Sequence, residues 1–406
     1  MEYYTTIGID VSDRTSKICL MAKSGAKRHI LEEATVPTTR AGFTEYLKDK
    51  EPGSVLVTFE TGTHSRWMNS LIGDGLGFKV HVANPAKLPT VTKSAAKNDR
   101  NDARELARLA LADPELLHPV RLRREVCQAM LRVEYVRQDL IACRTKLTNT
   151  LRGFAKAMGG RIESCSPEKI VSLNRADWPE ELRKLISLVE ETLESINADV
   201  KKSDDEIKRR TCLSPFKEHM PRAQEVYGVG LHTAATFLAV IDCDVSRFKK
   251  ARDVGPVVGF TPRQDQSGEM EKQLHATKAG NPLLRKLLVE AANVTMRTLS
   301  PDTDLKLKGE RICAHGGKIA KGKARVAVAR GIAVTMLALL KHPEREYVPL
   351  TENGAEELAR LREQVARQGL ARANHARKAE AAERPGSPGR TGKAPSERIF
   401  QTTKNN

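Results

Sequence analysis

Over the first 83 residues the apolar positions fall in short blocks. Residues 5–10 (TTIGID), 16–22 (SKICLMA) and 29–36 (HILEEATV) predict three strands, joined by turn-prone segments such as Lys23-Ser24-Gly25-Ala26. Arg40 to Lys50 changes to a helical period, with Phe43, Tyr46 and Leu47 on one side. Residues 54–60 (SVLVTFE) predict a buried fourth strand, Thr63 to Gly73 a helix, and 78–83 (FKVHVA) a fifth strand. The stretch KNDRNDARELARLA, Lys97 to Ala110, predicts the helix that follows. Three strands, helix, strand, helix, strand, helix is an α/β order with a mixed sheet.

From Arg121 the pattern is helical for a long distance. Residues 121–158 carry Val126, Met130, Val133, Val136, Leu140, Ile141 and Leu147 at helical spacing, interleaved with arginines. After a Gly/Ser/Pro break, residues 179–210 predict a second long amphipathic helix, with Leu182, Leu185, Ile186, Val189, Leu193, Ile196, Val200 and Ile207 as its apolar set. Two such helices around a connector predict a helical hairpin or coiled-coil arm suited to oligomerisation. A third region opens with YGVGLHTAATFLAVI, where Gly228 and Gly230 precede a small-residue helix; this resembles a phosphate-contacting hairpin turn as much as a plain helix start. Further helices are predicted from Leu283, from Arg325 to Leu340, and from Glu356 to Arg372.

The chain has 406 residues, enough for two or three domains, with 40% apolar residues and a net charge of +17. So large an excess of cations predicts a polyanionic partner, nucleic acid before an anionic membrane. No stretch approaches the roughly 18 consecutive apolar residues of a spanning helix. The start of the chain, MEYYTTIGID, lacks the order of a secretory signal, so a cytoplasmic protein is expected. Seven cysteines are scattered singly, which excludes a CxxC-type zinc framework and predicts reduced thiols. Residues 371–406 hold eight Lys/Arg against three Glu and few large apolar side chains, the composition of a disordered basic tail.

Four acids stand where chemistry is expected. Asp10 ends the first predicted strand and Glu60 the fourth, while Asp99 and Asp102 open the later helix, three residues apart on one face. Acids in a first helical turn are also ordinary capping. In an open α/β sheet, however, functional groups collect at the carboxyl ends of strands. Carboxylates gathered there repel one another unless a cation holds them. Oxygen ligands suit Mg²⁺ or Mn²⁺, and two such ions about 4 Å apart clamp both oxygens of a phosphodiester in displacement. Ser267 is harder to read: it sits in a polar loop beside Gly268, where serine is usually a turn residue. Its hydroxyl needs a base or metal to become a nucleophile, and no adjacent motif supplies one.

Taken together, TIGIDVS, VTFETGTHS and KNDRNDA in the first part, and GVGLHTA, SRF, VGFTPRQDQSG and KAGNPLLRKLL in the last, resemble one family over roughly residues 4–340. It is the IS-one-ten family of insertion-sequence transposases, with Piv-type DNA invertases as relatives. The resemblance implies a DEDD tetrad, Asp10, Glu60, Asp99 and Asp102, binding Mg²⁺ or Mn²⁺ on a RuvC-like, RNase H-type fold. It implies that Ser267 is the nucleophile of a second, transposase domain. It further implies a structured guide RNA pairing with donor and target DNA, and a homo-oligomer, dimer or tetramer.

The expected organisation is therefore a RuvC-like domain over 1–120, a helical or coiled-coil region over 121–215, a mainly helical transposase domain over 216–345, and a charged helical extension with a basic tail over 346–406. The expected setting is the bacterial cytoplasm, at the nucleoid, with no membrane partner. Two other readings compete. A RuvC-like junction endonuclease uses the tetrad without a covalent intermediate. A non-catalytic nucleic-acid-binding protein accounts for the charge and leaves the four acids unexplained.

Overall fold

A computed structural model describes residues 5–25, 27–88, 99–267, 270–364 and 366–367, with the backbone alone within 264–274. The predicted tail over 371–406 lies outside the described residues. The chain divides into two compact units, Met1–Arg123 and Arg124–Asn406.

The first unit is built on a five-stranded mixed sheet. Its strands are β1 (Thr5–Asp10), β2 (Thr15–Ser24), β3 (Lys27–Pro37), β4 (Val55–Glu60) and β5 (Lys79–Ala83), in the spatial order β3-β2-β1-β4-β5. β2 is antiparallel to both β1 and β3, whereas β4 is parallel to both β1 and β5. This is the layout of an RNase H-like domain. Ile7, Ile9, Val57 and Phe59 are buried along the central strands, as their apolar runs predict. Helix α1 (Arg40–Leu47) starts at Thr39, whose side chain accepts from Gly42 N, and buries Phe43 and Leu47. The helix predicted over 63–73 is shorter, α2 (Ser65–Asn69), and widens into a π turn over Ser70–Gly75, where two glycines weaken the regular α ladder.

Helix α3 (Asp99–Ala112) lies directly on β1. Ala103, Ala107 and Ala110 form its buried face, and the small residue opposite them is Gly8. A Cβ on Gly8 would come 2.1 Å from Ala103 O and 2.5 Å from Ala107 N. The glycine of TIGID is therefore a packing requirement. Thr6 Oγ1 donates to Ala107 O at 2.8 Å, so moving along β1 from Thr6 to Gly8 moves backwards along α3. The helix runs antiparallel to the strand, and its first turn is directed toward the end that carries Asp10.

The second unit is mainly helical. α4 (Glu125–Ala157) and α5 (Glu180–Thr211) form the predicted helical hairpin. They run antiparallel: Arg137 meets Asp204, and seven residues further along Arg144 meets Asn197, seven residues back. Ile186, Leu193, Val200 and Ile207, each seven apart, are buried along α5. The base of the hairpin joins a larger core with α6 (Met220–Gln224), α7 (Leu231–Val240), α8 (Val254–Val258), α9 (Pro282–Thr295) and α11 (Gly317–Lys341). Every residue of α7 from Thr233 to Val240 is buried. Its alanines let neighbouring helices approach from several sides.

Between α8 and α9 the chain forms a hairpin, β6 (Pro262–Ser267) with β7 (Met270–Ala276). The polar loop expected around Ser267 is thus corrected: Ser267 ends β6 and pairs with Met270. Helix α10 (Asp304–Cys313) gives no apolar period in the sequence because a buried position on it is Lys306, 3% exposed. That ammonium donates to Thr298 O and Ser300 O and pairs with Asp302. A last described helix spans 352–364 and is tied to α10 by Arg362 on Asp302 and Glu310, and by Arg311 on Glu357.

Candidate active site

In the first unit the order of strands reverses direction between β1 and β4, the topological switch point of the sheet. The two strands are in register up to Ile9 opposite Phe59. Asp10 and Glu60 are the next residues on each, both half-buried. They line one cleft of about 160 Å³ together with Asp13, Thr61, Thr63 and His64. The floor is built by local hydrogen bonds. Ser65 Oγ donates to Glu60 O at 3.1 Å and accepts from Gly62 N at 2.6 Å, which fixes the turn leaving β4.

His64 and Asp13 were not singled out by the sequence. Trp67 Nε1 donates to His64 Nδ1 at 3.1 Å, so in the neutral imidazole the proton is on Nε2, which donates to Asp13 Oδ1 at 3.2 Å. A His and an Asp in two different turns carry no spacing signal, although HS in VTFETGTHS and D in VSD are visible once the turns are known to meet.

Asp99 and Asp102 occupy the first turn of α3, the former exposed and the latter half-buried. They do not line the cleft of Asp10 and Glu60. Among the described residues no three of His, Cys, Asp and Glu come together closely enough to hold a metal ion. Further along the helix, Arg104 makes a two-pronged pair with Glu33 of β3, at 2.6 and 2.9 Å, and anchors this end of the helix to the sheet. That guanidinium holds the Glu33 carboxyl below its usual range.

In the second unit, the motifs around Ser267 meet at the base of its hairpin. Thr277 N donates to Thr261 O and Lys278 N to Gly259 O. A Cβ on Gly280 would lie 2.0 Å from Val257 O, so the glycine of KAGNP is demanded by the backbone of VVGF. Asn281 then caps α9, its side chain accepting from Leu284 N at 2.9 Å. The two motifs thus fold into one support with Ser267 at the far end of the strand. The GVGLHTA turn is packed against α9: Gly228, at φ +88°, has Ala291 O and Thr295 Oγ1 where a Cβ would stand. His232, at the start of α7, lies between Glu134 of α4 and Asp204 of α5, so carboxylates rather than an open anion site face this helix start.

Carboxylates at the switch point of an RNase H-like sheet suit chemistry on nucleic-acid strands, and comparison with known proteins places the chain among transposases. A family model for a DEDD transposase domain matches residues 7–158. A second, described as transposase of the IS116/IS110/IS902 family, matches residues 220–306. The chain belongs to the IS110 family of insertion-sequence transposases. It is 27% identical over 347 residues to the transposase for insertion sequence element IS1111A of Coxiella burnetii, covering 83% of this chain and 90% of that protein. It is also 29% identical over 315 residues to the transposase for IS1328 of Yersinia enterocolitica, covering 74% and 86%. Membership makes it an enzyme that cleaves and rejoins DNA. No described helix is long and apolar enough to cross a membrane.

Proposed function

We propose that this transposase is an RNA-guided DNA recombinase in which Ser267 is the nucleophile and Asp10, Glu60, Asp99 and Asp102 are the ligands of a divalent cation. The observation that carries the reading is the shared cleft of Asp10 and Glu60 at the switch point of the sheet. Its all-oxygen donor set from two adjacent strand ends fits a hard cation such as Mg²⁺ or Mn²⁺. Asp99 and Asp102 complete the set from a helix whose first turn is directed to the same end of β1. When bound, the cation would neutralise charge on a phosphodiester and polarise it.

The chain's own contribution is positional and nucleophilic. Ser267 Oγ gives up its proton and bonds to phosphorus, the bond from phosphorus to one deoxyribose oxygen breaks, and the leaving oxygen takes up a proton to become the sugar hydroxyl. Rejoining reverses these steps with a new sugar hydroxyl as the attacking group. The net charge of +17 supports a guide RNA and two DNAs as partners, with base pairing reading the sequence. The hairpin of α4 and α5 is the proposed means of pairing protomers.

Covalent trapping tests this. The protein is incubated with Mg²⁺, element-end DNA and the adjacent non-coding RNA, denatured, and examined for DNA-shifted protein. The adduct is expected with the wild type and absent from Ser267→Ala and Asp102→Asn. The competing junction-endonuclease reading is favoured by the cleft lying wholly within the first unit. Cleavage that survives Ser267→Ala without an adduct would establish it.

A further inference from the structure

We propose that a cleft between α10, α11 and the segment 347–349 holds one unpaired nucleotide of a single strand, its phosphate on Lys308, Arg330 and Arg252 and its base on Tyr347. The cleft has a volume of about 480 Å³, within the range of small-molecule sites. Its lining combines three cations, Arg252, Lys308 and Arg330, with apolar area from Leu305, Val334, Val348 and Pro349 and the ring of Tyr347. Cations together with apolar area and an aromatic ring are the composition that a nucleotide calls for.

Two glycines shape the lining. Gly255 leaves the room that the Arg330 guanidinium occupies: a Cβ there would stand 3.1 Å from Arg330 Nε. Gly331 leaves room for Leu305, whose Cδ2 would lie 2.6 Å from a Cβ there, with Lys308 Nζ in ordinary contact at 3.8 Å. Among the described residues, none of Arg252, Lys308 and Arg330 has an acidic partner. The one carboxylate in the lining, Asp304, is engaged by the N–H and hydroxyl of Thr351. Burial and the adjacent Arg330 hold the Lys308 ammonium below its usual range, a strain that a bound anion would relieve.

Two other basic regions differ in this respect. On the arm, Arg132, Arg137 and Arg144 are paired with Glu125, Asp204 and Glu168. A neighbouring hollow lined by Asp302, Lys306, Glu310 and Arg362 is internally neutralised, since its cations pair with its own acids. In the Arg252–Lys308–Arg330 cleft three cations stand against one carboxylate, Asp304, so a positive excess is left for an anion.

This inference rests on the nucleic-acid reading above, and its test needs no cleavage. Binding of the full chain to fluorescein-labelled 20-mers of dT and of rU is followed by anisotropy across a salt series. Lys308→Gln/Arg330→Gln is expected to weaken binding about tenfold and to flatten the salt slope by about 0.7 for each phosphate no longer neutralised. Val334→Trp, which fills the cleft without changing charge, is expected to weaken binding with the slope unchanged. The control is Lys321→Gln/Lys323→Gln, the same loss of charge at exposed positions on α11. Equal weakening by the control pair, or full affinity in Val334→Trp with native thermal stability, would overturn the proposal. The DNA and RNA probes separate the two sources of the nucleotide. A negative result leaves the Ser267 adduct untouched, so the two readings fail separately.

Discussion

Asp10 and Glu60 stand side by side because β1 and β4 are parallel neighbours in register through Ile9 and Phe59. Their spacing is set by backbone pairing, so side-chain substitutions there need not disturb the sheet. Asp10→Asn and Glu60→Gln are each expected to cut DNA cleavage at least a hundredfold, the scale of removing a positioned charge from a reacting centre. Unfolding midpoints should stay within a degree or two of wild type. Isothermal titration with Mn²⁺ provides the second readout: the wild type should bind and both variants should bind weakly. Unchanged Mn²⁺ affinity would remove these residues from the metal site.

Gly8→Ala tests the support beneath that site. The added methyl meets the backbone of α3 at Ala103 and Ala107, which cannot swing aside as a side chain would. Overpacking of this kind costs about 1–3 kcal/mol. Urea unfolding should show that loss, and cleavage should fall as well, since α3 carries Asp99 and Asp102. Gly53→Ala, with nothing within 4 Å, is the control and should be close to neutral.

Much of this arrangement was legible in the sequence. The strands are legible because β1 and β4 are buried on both faces, giving uncharged, β-branched-rich runs that end in acids. Their adjacency is not a property of either run; it follows from the order β3-β2-β1-β4-β5. Asp13 and His64 escaped notice because each lies in a turn, and their meeting depends on that same adjacency. The long helices were readable from periodicity. α10 was not, because Lys306 fills a core position by giving its ammonium to carbonyls. The hairpin that ends in Ser267 was missed for a related reason. PRQDQS and MEKQLHA are largely polar, so neither alternates in the way a half-buried strand does.

His232 ties three helices through two carboxylates, and the inner one is the sensitive partner. Glu134 is 2% exposed and lies 3.1 Å from His232 Nδ1. Glu134→Ala leaves the imidazole without one of its two partners and opens a gap at the base of the arm. A loss of about 3 kcal/mol is expected in urea unfolding. Glu134→Gln keeps an acceptor for the imidazole and should lose about 1 kcal/mol. Equal losses in the two variants would show that the position matters for packing alone.

Glu206 gives the arm a dependence on acid. Its carboxylate accepts from Arg209 and Arg210, and these guanidinium groups push its pKa down to about 2 from an ordinary 4.5. Because the folded value is the lower one, the contribution is fully present above about pH 4.5. It fades as pH falls from there toward about 2, where the carboxylate is protonated in the folded chain as well. The pair is on the helix surface and solvent-screened, so the effect is small. Melting midpoints of wild type and Glu206→Gln should differ most at about pH 6, where the wild type is the more stable, and the gap should shrink steadily below about pH 4.5, closing only as pH falls through about 2. A gap of constant size across that range would mean that the substitution acts through helix propensity rather than through the ion pairs.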